Sequence, residues 1–262
     1  MNILFFGDIF ARPGREALAR VLPSLKEKYR PDLIVCNGEN LAHGAGATET
    51  VVKEMLAMGV DVITSGNHIF DKKEIADFME GENAPLIRPL NFESGSPGKG
   101  FYVVEKKGAN IVVLNLIGRV FMKREYQNPF LVAEEFLKTI PSDIKIILVD
   151  FHAEATSEKK AMGLFLDGKV SAVVGTHTHI QTADEQILPG KTAYISDIGM
   201  TGAAESVIGM DARLVIAMFK GEKVKMDIAD SKNAEINAVF LVIDEQSGKA
   251  ISVERIRMSG ET

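Results

Sequence analysis

Six short apolar runs, "NILFF", "DLIVC", "VDVIT", "NIVVLNLI", "KIILV" and "SAVV", constrain this chain more than any other feature. Each is too short for an ordinary helix and nearly continuous rather than alternating, the pattern of a strand covered on both faces. Between several of them lie helix-like segments, "REALARVLPSLKEKY", "TETVVKEMLAMG", "KKEIADFME", "NPFLVAEEFLKTI" and "TSEKKAMGLFLDG". Strands and helices in alternation specify an α/β fold. Beyond about residue 185 the character changes, in "KTAYISDIG" and "AEINAVFLVIDEQSGKAISVERIRM". There the alternation and the turn "EQSGK" predict antiparallel strands and a hairpin, as a second sheet or the far edge of the first. The clearest loop, "NFESGSPGKG", separates no compositional halves, so a single domain over residues 1–262 is expected.

The totals narrow the function. With 46% hydrophobic and 25% charged residues the chain can bury a sizeable core. A net charge of −6 argues against a broad electrostatic footprint for duplex nucleic acid. A small phosphorylated ligand stays open, because metal ions can meet its charge locally. Cys36 is the sole cysteine, which rules out an internal disulfide and a thiolate zinc cluster and fits a reducing cytosol. It reads as a buried inert thiol. The start, "MNILFFGDIFARPGR", lacks a basic leader region, and Asp8 interrupts its apolar stretch too early for a signal peptide. No stretch approaches the roughly 18 consecutive apolar residues of a membrane span. A cytoplasmic protein with no membrane partner is expected.

Metal-capable side chains follow five of the apolar runs. "ILFFGD" ends at Asp8, "LIVCNGEN" at Glu39 and Asn40, and "VITSGNH" at Asn67 and His68. "KIILVDFHAE" ends at Asp150, His152 and Glu154, and "SAVVGTHTH" at His177 and His179. In open α/β sheets ligands bind outside the strand carboxyl ends, so neighbouring strands would make these groups converge. Residues two apart in extended chain point to one side, which predicts that His177 and His179 flank one site. Thr176 and Thr178 read as residues that tolerate the exposed bend. Oxygen and nitrogen donors without sulfur suit iron, manganese or zinc. Seven or eight ligands exceed one ion's needs and suit two ions sharing a carboxylate, about 3.5–4 Å apart.

Six blocks in order, "GDIFARPGR", "NGENLAHGAG", "SGNHIFDKKE", "DFHAEATSEKKA", "GTHTHIQTADE" and "SDIGMTG", resemble the calcineurin-like metallophosphoesterase superfamily. More closely they resemble its bacterial branch of two-metal 2′,3′-cyclic nucleotide phosphodiesterases. The resemblance implies a four-layer α/β/β/α sandwich with a dinuclear site at the strand carboxyl ends. It implies that Asp8, His179 and Asn40 hold one metal, that Asn67, His152 and His177 hold the other, and that Glu39 bridges both. His68 would stay unligated and act on the substrate. The usual superfamily opening is Asp-x-His, whereas Asp8 is followed here by Ile9 and Phe10, and the bridging group is Glu39 rather than Asp. Both departures are features of the cyclic nucleotide branch.

The expected chemistry is hydrolysis of a small nucleotide phosphodiester by a hydroxide activated between two iron or manganese ions, with His68 protonating the departing ribose oxygen. His43 and Gly44 are candidate substrate contacts; a flexible turn before the helix at Thr48 explains them equally. Arg12 and Arg15 read either as phosphate ligands or as a helix start with Pro13 in its first turn. Asp150 or Glu154 would orient His152, and "SDIGMTG" would wall the pocket. Two other readings stay open: a phosphomonoesterase or nucleotidase using the same site, and a metal-dependent regulatory protein that binds a phosphorylated signal. Homo-oligomerisation is compatible with the apolar C-terminal segment.

Overall fold

The computed structural model describes residues 1–261. The first part of the chain forms β1 (Asn2–Ile9), α1 (Ala11–Tyr29), β2 (Leu33–Asn37), α2 (Glu49–Met58), β3 (Val62–Thr64) and α3 (Ile75–Met79). The middle forms β4 (Phe101–Lys106), β5 (Ala109–Ile117), α4 (Pro129–Thr139), β6 (Ile146–His152), α5 (Thr156–Leu166) and β7 (Ala172–Thr176). Then come β8 (Gln186–Ile187), β9 (Ala193–Ile195), β10 (Met200–Ala203), α6 (Ala212–Phe219), β11 (Asn233–Ile243) and β12 (Ala250–Glu261).

The strands make two six-stranded sheets, ordered β12-β11-β10-β1-β2-β3 and β4-β5-β6-β7-β9-β8. Period-2 alternation explains how they stack. In β1, Ile3 and Phe5 face the second sheet and pack with Val113, Leu148 and Val174, while Leu4 and Phe6 face α1 and α2. In β6, Ile147 and Val149 turn the other way and meet Ala133 and Phe136 of α4 and Met162 and Leu166 of α5. Helices, sheet, sheet and helices thus form the four expected layers. Apolar residues on both faces of a covered strand give the near-continuous runs.

The five helix-like segments are α1 to α5, and the predicted hairpin is β11–β12, turning at Asp244–Lys249. Three features differ from expectation. The strands carrying the polar ends are not neighbours in one sheet: β1, β2 and β3 lie in the first and β6 and β7 in the second. "KTAYISDIG" is not purely antiparallel, because β9 runs parallel to β7 and β10 parallel to β1. Helix α6 lies between the two segments expected to be strand and is not among the expected helices; its start is marked by Asp211, whose side chain accepts from Arg213 N–H and Leu214 N–H. "ARPGR" is a helix start. Arg15 pairs with Glu54 at 2.9 Å and donates to Leu41 O, so it braces the loop after β2 instead of reaching for phosphate.

The crossover Ser196–Gly199 carries the chain from β9 of one sheet to β10 of the other. Asp8 N–H donates to Gly199 O at 3.0 Å and Ile198 N–H to Gly175 O at 2.9 Å, so this segment joins both sheets at their carboxyl edge. The approach is too close for a side chain: a Cβ on Gly7 would lie 1.7 Å from Gly199 O, and one on Gly175 1.7 Å from Ser196 O. No helix among the described residues is long and apolar enough to cross a membrane. Overpacking of this kind costs typically 1–3 kcal/mol, so Gly175→Ala should lower unfolding stability by about 3 kcal/mol. Urea denaturation measures it, and an unchanged midpoint would mean the crossover yields freely.

Candidate metal centre

Five strand ends from two sheets meet at one edge. Asp8 closes β1, Glu39 and Asn40 follow β2, Asn67 follows β3, His152 ends β6, and His177 and His179 follow β7. Ligand-capable atoms of Glu39, His152 and His177 all lie within 4.8 Å of one another, as do those of Asp8, Glu39 and His179. Glu39 is common to both groups.

Hydrogen-bond accounting shows what these atoms face. Thr176 Oγ1 donates to Asp150 Oδ1 at 2.7 Å, so at 2.8 Å it accepts from His152 Nδ1–H. His152 Nε2 is then a bare lone pair. It lies 3.0 Å from Glu39 Oε1 and 3.2 Å from Asn67 Oδ1. His177 Nε2 bonds Glu154 Oε2 at 3.2 Å, which leaves its Nδ1 bare, 3.0 Å from His152 Nε2. His179 Nδ1 donates to Ile208 O at 3.1 Å, and its Nε2 lies 3.8 Å from Asp8 Oδ1. Burial holds His152 down to about 4, so its imidazole is neutral near pH 7. Burial lowers His179 too. Electron pairs therefore point at electron pairs, an arrangement that repels unless a cation lies between them.

Two further atoms point the same way. Asp8 Oδ1 and Asn40 Oδ1 are buried without a hydrogen-bond partner, although Asp8 Oδ2 accepts from His177 N–H and Asn40 Nδ2 donates to Gly44 O. Asp8, Glu39, Asp150 and Asp197 are all buried here, and the buried Lys159 ammonium pairs with Asp197 alone of these, at 2.6 Å. Burial, with Glu39, Asp197 and Asp150 nearby, raises the Asp8 carboxyl well above the usual range. The donor set and the surplus of buried negative charge fit metal cations. A Cβ on Gly66 would lie 2.2 Å from His152 Nε2 and 2.4 Å from Glu39 Oε2, filling the space between them.

The support beneath these groups spans both sheets. Buried Asp150 accepts from Thr176 beside it in the second sheet, and from Asn37 Nδ2 at 3.0 Å and Thr64 Oγ1 across from the first. Burial pushes Asp150 up to about 6, even with these three donors. Asp150 thus orients His152 through Thr176 rather than directly, and Glu154 holds His177, not His152. Asp197 accepts from Thr178 N–H and Oγ1–H, which fixes the backbone between the paired histidines.

The extended geometry expected for that pair does not occur. His177 has φ 98° and His179 φ 66°, so the chain turns at each, and one imidazole goes to Glu39 and His152 and the other to Asp8. Thr176 is fully buried, not an exposed bend residue. Phe10 occupies the position of the superfamily's usual histidine; its ring packs edge-on to His179, centroids 5.7 Å apart. His68 stands outside both groups. Its Nδ1 bonds Asp71 Oδ2 at 2.7 Å, and its backbone N–H donates to Glu39 Oε2.

A cleft of about 390 Å³ opens beside the centre, lined by Asn67, His68, Asp71, His177, Glu154 and the loop residues Phe121–Arg124 with Tyr126. Neither His43 nor Gly44 is among its lining residues. His43 is exposed at φ 56°, and Gly44 packs under Phe10 while its carbonyl holds Asn40. Both belong to the turn whose Gly44 carbonyl holds Asn40, the turn reading of that segment. The sequence alone assigns no role to Gly66, Asp71, Lys159 or the 119–126 loop, places Asp197 only within a pocket wall, and misplaces Thr176. Asp71, three residues after His68 on a turn, is the one that spacing alone could have flagged.

Two substitutions test this construction. Thr176→Val removes the acceptor of His152 Nδ1–H and should weaken manganese affinity about 10–100-fold, read by calorimetry. Lys159→Met leaves Asp197 buried and unpaired and should cost about 3–5 kcal/mol of stability, read by chemical denaturation. Wild-type values in either would contradict the roles given.

The chain is similar to known proteins along its whole length. A curated relative from Bacillus subtilis (strain 168), named 2′,3′-cyclic-nucleotide 2′-phosphodiesterase, is 46% identical over all of this chain and 98% of its own length. A crystal structure of a hypothetical protein from Thermus thermophilus superimposes with a TM-score of 0.92 at 37% identity, covering all of both chains. A crystal structure described as a novel phosphatase from Mycoplasma pneumoniae has a TM-score of 0.92 at 35% identity, covering all of this chain and 94% of that one. Residues 4–256 match the family described as YmdB-like protein, and the chain belongs to that family.

Proposed function

We propose that this protein is a metal-dependent phosphodiesterase that hydrolyses 2′,3′-cyclic nucleotides to the 3′-nucleotide. The observation that carries the metal requirement is the convergence of His152, His177, His179 and Asp8 on Glu39, with the Asp8 Oδ1 in that group buried and unpartnered. The substrate class rests on membership of a family with a full-length relative named for that activity. In this reading Asp8, Asn40 and His179 would hold one cation and Asn67, His152 and His177 a second, with Glu39 common to both sets. Oxygen and nitrogen donors favour iron or manganese. When bound, the two cations supply positive charge to the phosphoryl oxygens and lower the pKa of the attacking water.

The chain's own residues do the rest. His68 is the group that protonates the ribose oxygen leaving from phosphorus, because it stands next to ligand Asn67, lines the cleft and is tied by its Nδ1 to Asp71, so that Nε2 is the nitrogen available for transfer. Asp71 fixes the ring's orientation. His68 N–H holds Glu39 by Oε2, while Oε1 lies beside His152, so the backbone that carries the acid also positions this carboxylate. Thr176 and Asp150 keep the His152 proton on Nδ1. A cytoplasmic setting accords with a single buried cysteine, whose thiol burial pushes up and out of reach of ionisation.

His68→Ala should lower kcat on 2′,3′-cyclic AMP by about 10²–10⁴-fold while metal content by elemental analysis stays at wild type. Loss of metal from that variant would make His68 a ligand and overturn its assigned role. A panel of 2′,3′-cyclic nucleotides, linear diesters and nucleoside monophosphates, run with manganese, should give the cyclic diesters the highest kcat/KM. Faster monoester turnover would favour the nucleotidase reading. Glu39→Gln should abolish turnover; a variant that bound nucleotide without ever turning it over, like the wild type, would favour the regulatory one.

A further inference from the structure

The loop between β5 and α4 presents an aromatic ring to the cleft that the fold itself does not use. Phe121 is 84% exposed, although Phe is normally a core residue. Its backbone has φ 63°, a conformation that side-chain-bearing residues rarely adopt. A floppy segment would not account for this, because the loop is anchored at both ends. At its start Gly118 N–H donates to His152 O at 2.9 Å, tying the loop to the strand that carries a proposed ligand. Both Arg119 N–H and Val120 N–H donate to the buried Glu158 carboxylate. At its end Gln127 N–H donates to Asn91 O, and Tyr126 stacks on Phe92 with centroids 5.1 Å apart and planes 17° apart. Between these anchors Phe121 is held out of the core, on the wall that faces His68 and His177. Lys123 and Arg124, both exposed, line the same cleft and bring positive charge to an otherwise acidic protein.

We propose that Phe121 is the specificity-determining residue that stacks on the nucleobase of the substrate, with Lys123 and Arg124 beside it drawing in the phosphate. The inference deepens the proposed function and rests on it. A cyclic nucleotide has two parts to recognise: a phosphodiester, which the metal centre takes, and a planar base, for which the centre offers nothing. An aromatic face supplies stacking that every base can use, and it discriminates weakly among bases. The backbone that carries the ring is anchored on both sides, so binding orders little beyond the side chain itself. Phe121 therefore contributes to ground-state binding of nucleosides, not to the chemical step.

The test compares 2′,3′-cyclic AMP with a base-less substrate, methyl ribofuranoside 2,3-cyclic phosphate, on the manganese-loaded wild type, Phe121→Ala and Phe121→Trp. Phe121→Ala should raise KM for the cyclic nucleotide about tenfold, with kcat within about twofold and no change on the base-less substrate. Phe121→Trp should restore the wild-type KM. Calorimetric affinity for the product 3′-AMP should fall by the same factor in Phe121→Ala. Equal losses on both substrates, or no loss on either, would overturn the stacking role, since the ring would then be acting on the fold or on nothing. A wild type that hydrolyses neither substrate would overturn the proposed function, and this inference with it.

Discussion

Electron pairs that face one another inside a protein are the constraint around which this structure is built. His152 Nε2, His177 Nδ1, Asn67 Oδ1 and Glu39 Oε1 crowd a common space from one side, while His179 Nε2 and Asp8 Oδ1 line the other, with Asn40 Oδ1 buried and without a partner. Each imidazole has its outer nitrogen engaged, by Thr176, Glu154 or Ile208, so a neutral ring with its proton there presents a lone pair inward. Such a centre is repulsive by itself and becomes favourable around cations. Folding must therefore hold it together by other means.

Those means come from the joint between the sheets. Asp150 gathers Asn37 and Thr64 from one sheet and Thr176 from the other, a buried polar network with its donors matched to one carboxylate. The Ser196–Gly199 crossover hydrogen-bonds to Asp8 on one side and Gly175 on the other, and needs glycine at both close approaches. Lys159 and Asp197 then lock the turn that carries His177 and His179. The ligand positions are thus set by backbone and supporting contacts across two sheets, and neither sheet alone assembles a complete set.

The α/β layering and the identity of the polar strand ends were legible because both follow from local pattern: doubly covered strands are continuous apolar runs, and chemistry collects after them. That Glu39 stands between two groups of ligands could be reached from sequence only through family resemblance, since no spacing rule relates it to histidines more than a hundred residues away. What sequence hid was three-dimensional accounting. Extended spacing placed His177 and His179 on one side for the wrong reason, since both turn at positive φ under the control of Asp197, well downstream in the chain. Thr176 looked like a bend former because nothing nearby in sequence reveals that it lies between Asp150 and His152. For His43 and Gly44 the sequence left substrate contact and a turn equally open, because a Gly-rich turn carries the same residues whether it meets a phosphate or holds Asn40. Phe121 went unremarked because exposure cannot be read from a single aromatic in a polar stretch.

Whether two cations share Glu39 at the edge where the sheets meet is tested most directly by anomalous diffraction from crystals grown with manganese. Two peaks are expected about 3.5–4 Å apart with Glu39 between them, one beside Asp8, Asn40 and His179 and the other beside Asn67, His152 and His177. A single peak, or a pair elsewhere that leaves Glu39 untouched, would contradict it.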